Sequence, residues 1–367
     1  MPSSPSGSNR MRRCSCSTGR PRLCRQHEPR VVQHMHETEV NMTRSDGRRA
    51  LLLSAALCAW TLPLLAAAQG RFPSRPVNLV LPAAAGTGVD IVARIGAQRL
   101  SEVLGQPVVV ENVVGASGVI GVQRAARAKP DGYTLLFTFN QTMTMNPHVV
   151  ANLSYDPLKD FAPVSRFAAS PFVWMVNTQV PVTTFPEFVA YAKAHPGKLA
   201  MGVTGFASAA YLGSQLLALQ TGAETLAVNY ASNFSADLQS NVVQVSMSPA
   251  AQVPSLVASG KVRPLAQTGA QRAASLPDLP TVGETVPGYV IDAWYGVWAP
   301  AGTPRDVLDS LTRAWQKVAD TPEVRSRLAA VSAVPVGSTA QALDELTRSE
   351  SRLWGDVVKA RKIVPVQ

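Results

Sequence analysis

The chain has 367 residues, enough for two ordinary domains with a sizeable core. Hydrophobic residues make up 46% and charged residues 16%, which excludes an intrinsically disordered chain. The net charge of +10 is unevenly spread: residues 1–68 hold 10 of the 34 Lys and Arg and 4 of the 24 Asp and Glu, so residues 69–367 carry only +4. Overall basicity is therefore a weak argument for nucleic acid. All four cysteines (Cys14, Cys16, Cys24, Cys58) lie in the first stretch. The rest of the chain can offer neither a thiol nucleophile nor a thiolate metal site.

The N-terminal region reads as an address. Arg48 and Arg49 precede an apolar run from Leu51 to Leu65 and the small residues Ala66, Ala67 and Ala68. This is the layout of a secretory signal peptide over 42–68, with cleavage after Ala68 and translation starting at Met42. Residues 1–41 are then a non-native extension. A metal site from Cys14, Cys16, Cys24, His27, His34 and His36 fits no common zinc spacing.

Strands then alternate with helical stretches, which predicts an α/β protein with mainly parallel sheets. Val77–Leu81 reads as a strand, followed by the small-residue loop 82–88 and a helix over Asp90–Leu104 ended by Gly105. Val108–Val110 is a second strand. The turn Gly115–Gly118 leads into a helix over Val119–Ala128, and Tyr133–Phe139 is a third strand ending in a polar loop, Asn140–Thr142. A second half begins with a strand at Phe172–Val176 and a helix at Phe185–Ala194. Leu199–Val203 is a strand, and its exit loop 204–208 precedes a helix over Ala209–Leu219. Further strands are expected at Leu226–Tyr230, Val242–Met247 and Val262–Gln267. Ala293–Ala299 reads as a strand returning toward the first half. Helices at Pro304–Ala319, Pro322–Val331 and Thr339–Arg361 close the chain, with Pro304 and Pro322 suited to first turns.

Ligands of open α/β sheets bind beyond the carboxyl ends of strands. Loops 82–90, 139–146 and 203–208 occupy such places and are rich in Gly, Ser, Thr, Asn or Ala. They bring backbone N–H groups and helix starts together, which suits a carboxylate better than bond cleavage. Catalytic patterns are missing. His148 and His195 follow no metal-ligand spacing, there is no G-x-S-x-G elbow, and neither Gly115-x-x-Gly118 nor Gly202-x-x-Gly205 continues as a phosphate loop. Asp90 at a helix start reads as a cap or loop organiser rather than a base. Trp294, Tyr295 and Trp298 read as core packing at the junction of the halves, with a cleft wall as the alternative.

Residues 72–367 resemble the extracytoplasmic solute receptors of tripartite tricarboxylate transporters, also called the Bordetella uptake gene receptor family. The resemblance rests on an ordered series: Phe72–Pro76, Asp90–Arg94, Leu104–Asn112, Gly115–Gly118, Lys129–Leu136, Asn146-Pro147, Tyr155–Val164, His195–Leu199, Ser259–Arg263, Leu276–Val282 and Ala299–Pro304. It implies a periplasmic-binding-protein-like clamshell of two α/β lobes with a ligand cleft between them. Lobe 1 would comprise 69–170 and 295–367, and lobe 2 would comprise 171–294. The expected protein is a periplasmic monomer that binds a small organic solute, usually a carboxylate, and passes it to membrane transporter subunits. No catalysis, cofactor, metal or nucleic acid is expected. By motif position, Gly86, Thr87, Gly88 and Asp90 would form the first-lobe loop, and Asn140, Gln141 and Thr142 a second edge. Thr204, Gly205, Phe206, Ala207 and Ser208, with Tyr230, would hold the ligand from the other lobe.

The sequence departs from the family pattern at Ala83, Ala85, Thr87 and Val89 in the first loop. It departs again at Val203, Phe206 and Ala207, at Ala231 and Ser232 after Tyr230, and at Gln244 in place of an acidic residue. These changes read as lost polar anchors, each worth about 1.5–3 kcal/mol if it met a charged ligand group. They point to a larger or more apolar solute, such as an aromatic acid or an amide-bearing ring. A ligand sensor or an enzyme on the same scaffold is the alternative. An effector domain of a DNA-binding regulator would need a helix-turn-helix where the export signal stands.

Overall fold

The computed structural model describes residues 72–365, Ser232 excepted, all within one unit, Gln69–Gln367. The expected signal peptide, the cysteines and residues 1–41 lie outside the described residues. Chain order begins β1 (Val77–Leu81), α1 (Gly88–Leu104), β2 (Val108–Asn112), α2 (Val119–Ala126) and β3 (Thr134–Phe139). A π-turn at Gln141–Met145 runs into the short α3 (Asn146–Val149). Then come β4 (Phe161–Asn177), α4 (Phe185–Ala194), β5 (Ala200–Val203), α5 (Ala209–Thr221), β6 (Leu226–Asn229), α6 (Ser235–Gln239) and β7 (Val245–Pro249). The chain closes with α7 (Val253–Val257), β8 (Val262–Gln267), β9 (Asp292–Pro300), α8 (Arg305–Ala319), α9 (Pro322–Ala329), β10 (Val334–Pro335) and α10 (Ala340–Ala360).

Local chemistry sets the ends of these elements. Gly105 adopts φ +66° and stops α1, a left-handed conformation that glycine takes without a Cβ clash. Thr184 and Glu187 form a reciprocal capping box at the start of α4. Pro322 occupies the first turn of α9, where its missing N–H costs nothing.

The strands run β2-β1-β3-β9-β4-β7-β5-β6, with β8 and β10 also paired to β4. The 17-residue β4 joins two ladders. Residues Phe161–Pro171 pair with β9, and Phe172–Val176 pair with β7. The change of partner falls at Pro171, which has no N–H to donate to a ladder. On its other edge, Val173–Asn177 pairs with β8.

Two expectations need correction. The sheet is mixed, not mainly parallel: β1 with β2 and β3, and β5 with β6 and β7, are parallel, but every pair made by β4 and β9 is antiparallel. Both strands carry the chain between the ladders, so they run against their neighbours. The expected strand at Phe172–Val176 is only the second half of β4. Pro163, Arg166 and the small residues around them hide its first half, which burial and pairing with β9 make a strand nonetheless.

Each ladder has its own core. One packs Leu79, Leu81, Leu135, Phe137, Phe167 and Trp315, and the other packs Trp174, Phe185, Phe188, Leu212, Met247 and Tyr289. Removing a fully buried aromatic from either costs about 3–5 kcal/mol. Helix α10 ties them together. Its buried positions recur at helical spacing, with Leu343 in a satellite cluster beside Trp294 and Trp298, and Trp354 and Val357 in the second core.

Candidate functional site

A cavity of about 520 Å³ lies where the ladders meet, within the roughly 300–1,000 Å³ range of small-molecule sites. Its floor comes from the joining strands: Ser170 and Phe172 on β4, Ala293 and Tyr295 on β9, and Met247 to Pro249 on β7. Two helix starts face it, α1 through Thr87, Gly88 and Val89, and α5 through Ser208, Ala209 and Ala210. Asn140 and Gln141 close one edge, while Phe234, Ala251 and Gln252 close another. Among the described residues, none lining the cavity is Asp, Glu, Lys, Arg or His.

The polar groups that line the cavity are incompletely paired. Among the described residues, the N–H groups of Gly88, Val89, Ala209 and Ala210 have no acceptor, as expected for first helical turns. Ser248 is 4% exposed and Asn140 is 3% exposed. Asn140 Nδ2 donates to Asp292 O at 2.9 Å, leaving its Oδ1 without a donor, and the Ser248 hydroxyl has no partner among the described residues. Tyr295 also presents a hydroxyl with no partner among the described residues. Burial pushes its phenol up to about 12, so it stays protonated and can donate a hydrogen bond.

Of the residues expected at the site, Thr87, Gly88, Asn140, Gln141, Thr204 and Ser208 line this cavity. Ser208 caps α5: its Oγ accepts from Tyr211 N and donates to Gly205 O at 2.6 Å. The others support the walls from behind. Gly86 N–H donates to Asp90 Oδ2 at 2.9 Å. The nearly buried Asp90 carboxylate also accepts from Asn112 Nδ2 at 2.9 Å and from Arg94 Nε at 3.0 Å. Burial pushes that carboxyl up, but hydrogen bonds from Arg94, Gly86 and Asn112 outweigh it and hold it below its usual value. Asp90 thus organises the loop instead of lining the cavity.

Thr142 is fully buried, donating to Phe139 O at 3.0 Å and bonded to Thr138 Oγ1 at 2.7 Å. The expected polar loop there is a helical turn, because such hydroxyls bond the preceding carbonyls. Gly205 N–H donates to Asn229 Oδ1, Phe206 packs edge-on against Tyr211, and Ala207 sits in the second core. Tyr230 donates to Asp237 Oδ2 at 2.6 Å, which turns its hydroxyl to α6. Gln244 bridges Ala200 N and Asn241 O and does not line the cavity. Val89 does line it. Ser232 lies outside the described residues.

Sequence reading missed Ser170, Phe172, Phe234, Ser248 and Gln252. It favoured core packing for Trp294, Tyr295 and Trp298 with a cleft wall as the alternative, and the two readings divide between them. The tryptophans are buried against each other, whereas Tyr295 points to the other face of β9. Period-two alternation along a strand carries that signal. His195 is locally bonded, to Tyr191 O at 3.0 Å, whereas His148 reaches across to Ser351 Oγ on α10 at 2.9 Å.

A second group of polar side chains lies at the joint itself. Trp294 Nε1 donates to Glu350 Oε1 at 2.7 Å, and Arg166 lies 3.6 Å from Asp292. Burial pushes the Glu350 carboxyl up to about 7, against the opposing pull of Trp294 and Arg166.

Residues 92–363 match the family model described as the tripartite tricarboxylate transporter family receptor. The protein BugT of Bordetella pertussis is 32% identical over 292 residues, covering 78% of this chain and 90% of BugT. A solved R. palustris protein with adipate is 34% identical with a TM-score of 0.70, covering 80% of this chain and 100% of that one. The periplasmic binding protein BugD is 31% identical with a TM-score of 0.68, again covering 80% of this chain and 100% of that one. With the family model matching residues 92–363 and BugT 32% identical over 78% of this chain, the chain belongs to the tripartite tricarboxylate transporter receptor family.

Proposed function

We propose that this chain is a periplasmic receptor that captures a small organic carboxylate between two lobes and delivers it to membrane subunits of a tripartite tricarboxylate transporter. The observation that carries the reading is the cavity shared by the two ladders. Two helix starts with unpaired N–H groups, α1 and α5, face it, and among the described residues no charged side chain lines it. Helix N-termini stabilise anions through those N–H groups and the helix dipole. A ligand touching both lobes would favour their closure. The solved relative with adipate and the periplasmic relative BugD support the ligand class and the compartment. The lobes are assigned as 69–170 with 295–367, and 171–294, in keeping with the change of partner at Pro171 on β4. Residues 42–68 are assigned as the export signal.

The lining also argues for binding over chemistry. Ser208 and Ser248 line the cavity without a histidine or carboxylate beside them on its wall to act as a general base. A thermal-shift screen of organic acids against their neutral amides tests the reading. An acid present at 100 times its dissociation constant should stabilise the fold by about 2.7 kcal/mol. Stabilisation by amides or sugars alone would contradict it.

A further inference from the structure

The Thr144 hydroxyl has one proton to donate and two acceptors within reach: Asn140 O at 2.9 Å and Glu350 Oε2 at 3.3 Å. Thr144 is fully buried and Asn140 is 3% exposed, so neither can turn to bulk water for a missing bond. An ionised Glu350 competes with Asn140 for the threonine proton. A neutral Glu350 ends the competition, because Oε2–H then donates to Thr144 Oγ1 and leaves the threonine proton for Asn140 O. The other carboxyl oxygen already accepts from Trp294 Nε1 at 2.7 Å, which places the acid proton on Oε2. Asn140 lines the cavity, and the same cluster holds its side chain, with Nδ2 donating to Asp292 O at 2.9 Å. We propose, taking the cavity as the ligand site, that Glu350 is a positioning residue for ligand binding: its neutral acid completes a relay through Thr144 to Asn140, and its ionisation loosens Asn140 and weakens the ligand.

The charges around Glu350 act in the same direction. Arg166 on β4 and Asp292 on β9 face it. These two lie 3.6 Å apart, and the buried Arg166 Nε has no partner among the described residues. With Glu350 neutral the three groups balance. With it ionised they carry one net negative charge, on the face of β9 opposite Tyr295 and so behind the floor of a cavity proposed to take an anion. The π-turn that carries Thr144 has no ionisable side chain. On α3, His148 bonds the neighbouring Ser351, and burial lowers its pKa, so it stays neutral while Glu350 titrates. Burial pushes the Asp292 carboxyl up against the pull of Arg166, and pushes Glu350 up to about 7. The relay therefore switches near neutral pH, where a carboxylate ligand is already ionised.

Calorimetric titration with adipate as probe, from about pH 6 to about pH 8.5, together with NMR of the free protein, tests this. Adipate should bind about three- to tenfold more weakly at the upper end than at the lower, the range of one neutral hydrogen bond. Glu350→Gln, whose amide accepts from Trp294 and donates to Thr144 at any pH, should hold the low-pH affinity throughout. Thr144→Val should bind weakly throughout. In the free protein, the Trp294 indole N–H and the Gln141 backbone N–H, which shares its peptide with Asn140 O, should shift with one midpoint near 7. Thr144→Val should keep the first shift and remove the second. A wild-type affinity that stays level over this range, or a pH slope that survives in Glu350→Gln, overturns the relay. Adipate that binds at no pH counts against the carboxylate reading instead, and the NMR midpoints then decide the relay alone: a Gln141 N–H that does not follow Trp294 overturns it.

Discussion

Replacing Asp90 with Ala separates a loop organiser from a ligand contact. The carboxylate is 3% exposed and holds Gly86 N–H, Asn112 Nδ2 and Arg94 Nε within 3.1 Å. Arg94 is half exposed, so its ion pair adds little. The two neutral donors carry the cost; Asn112 Nδ2 keeps its bond to Ala83 O at 3.0 Å, and losing the two bonds to the carboxylate should destabilise the fold by about 2–4 kcal/mol. For a chain of this size that is on the order of 3–6 °C in melting temperature. The Asp90 carboxyl is held below its usual value, so its contribution is present above the unfolded pKa and disappears as pH falls through the folded one. The acid limb of the stability curve should therefore be shallower in Asp90→Ala. Calorimetric melting from neutral pH down to pH 3, with and without a stabilising acid, measures both effects. A variant that melts within 1 °C of the parent but no longer binds the acid would refute the organiser role and put Asp90 on the ligand.

Three further outcomes are expected. Gly202→Ala should displace the Phe234 ring from a contact of 2.6 Å, cost about 1–3 kcal/mol and weaken ligand binding; adding Phe234→Leu should restore stability, and failure of that rescue would assign the damage elsewhere. Arg361 holds Glu224 through two 2.8 Å bonds and Gln215 through a third, anchoring the end of α10 to α5 and the turn after it; Arg361→Ala should cost about 1–2 kcal/mol by denaturant titration, with Arg361→Lys recovering only part, because a single ammonium cannot span both carboxylate oxygens. Glu350 has a folded pKa raised to about 7 from 4.5, chiefly by burial. Its stabilising contribution is therefore complete below the unfolded value and lost as pH rises through about 7. Wild type should lose on the order of 3 kcal/mol over that range relative to Glu350→Gln, and parallel curves for the two proteins would contradict the assignment.

Sequence periodicity captured elements whose local signals agree with their burial. The capping box at Thr184 and Glu187 marks α4 at Phe185–Ala194, and β8 at Val262–Gln267 reads directly from its residues. It failed where tertiary pairing overrides composition. The first half of β4 carries Pro163 and Arg166, and only its pairing with β9 makes it a strand. The site shows the same division. Thr87, Gly88, Asn140, Gln141, Thr204 and Ser208 stand at strand exits or helix starts, which loop chemistry identifies. Asp90 and Tyr230 have equally suggestive side chains, but nearby donors and acceptors engage them away from the cavity. Ser170, Phe172, Ser248 and Tyr295 lie on strands that cross the joint, and their common destination depends on the pairing of β4 with β7 and β9.

Native mass spectrometry tests the central claim most directly. The protein is expressed from the full 367-residue sequence, recovered from the periplasmic fraction without added ligand, and recorded before and after gentle unfolding. The account predicts release of one small molecule bearing a carboxylate, and renewed stabilisation when that compound is returned to the empty protein. Release of a compound with no carboxylate, or an empty protein that no organic acid stabilises, would contradict it.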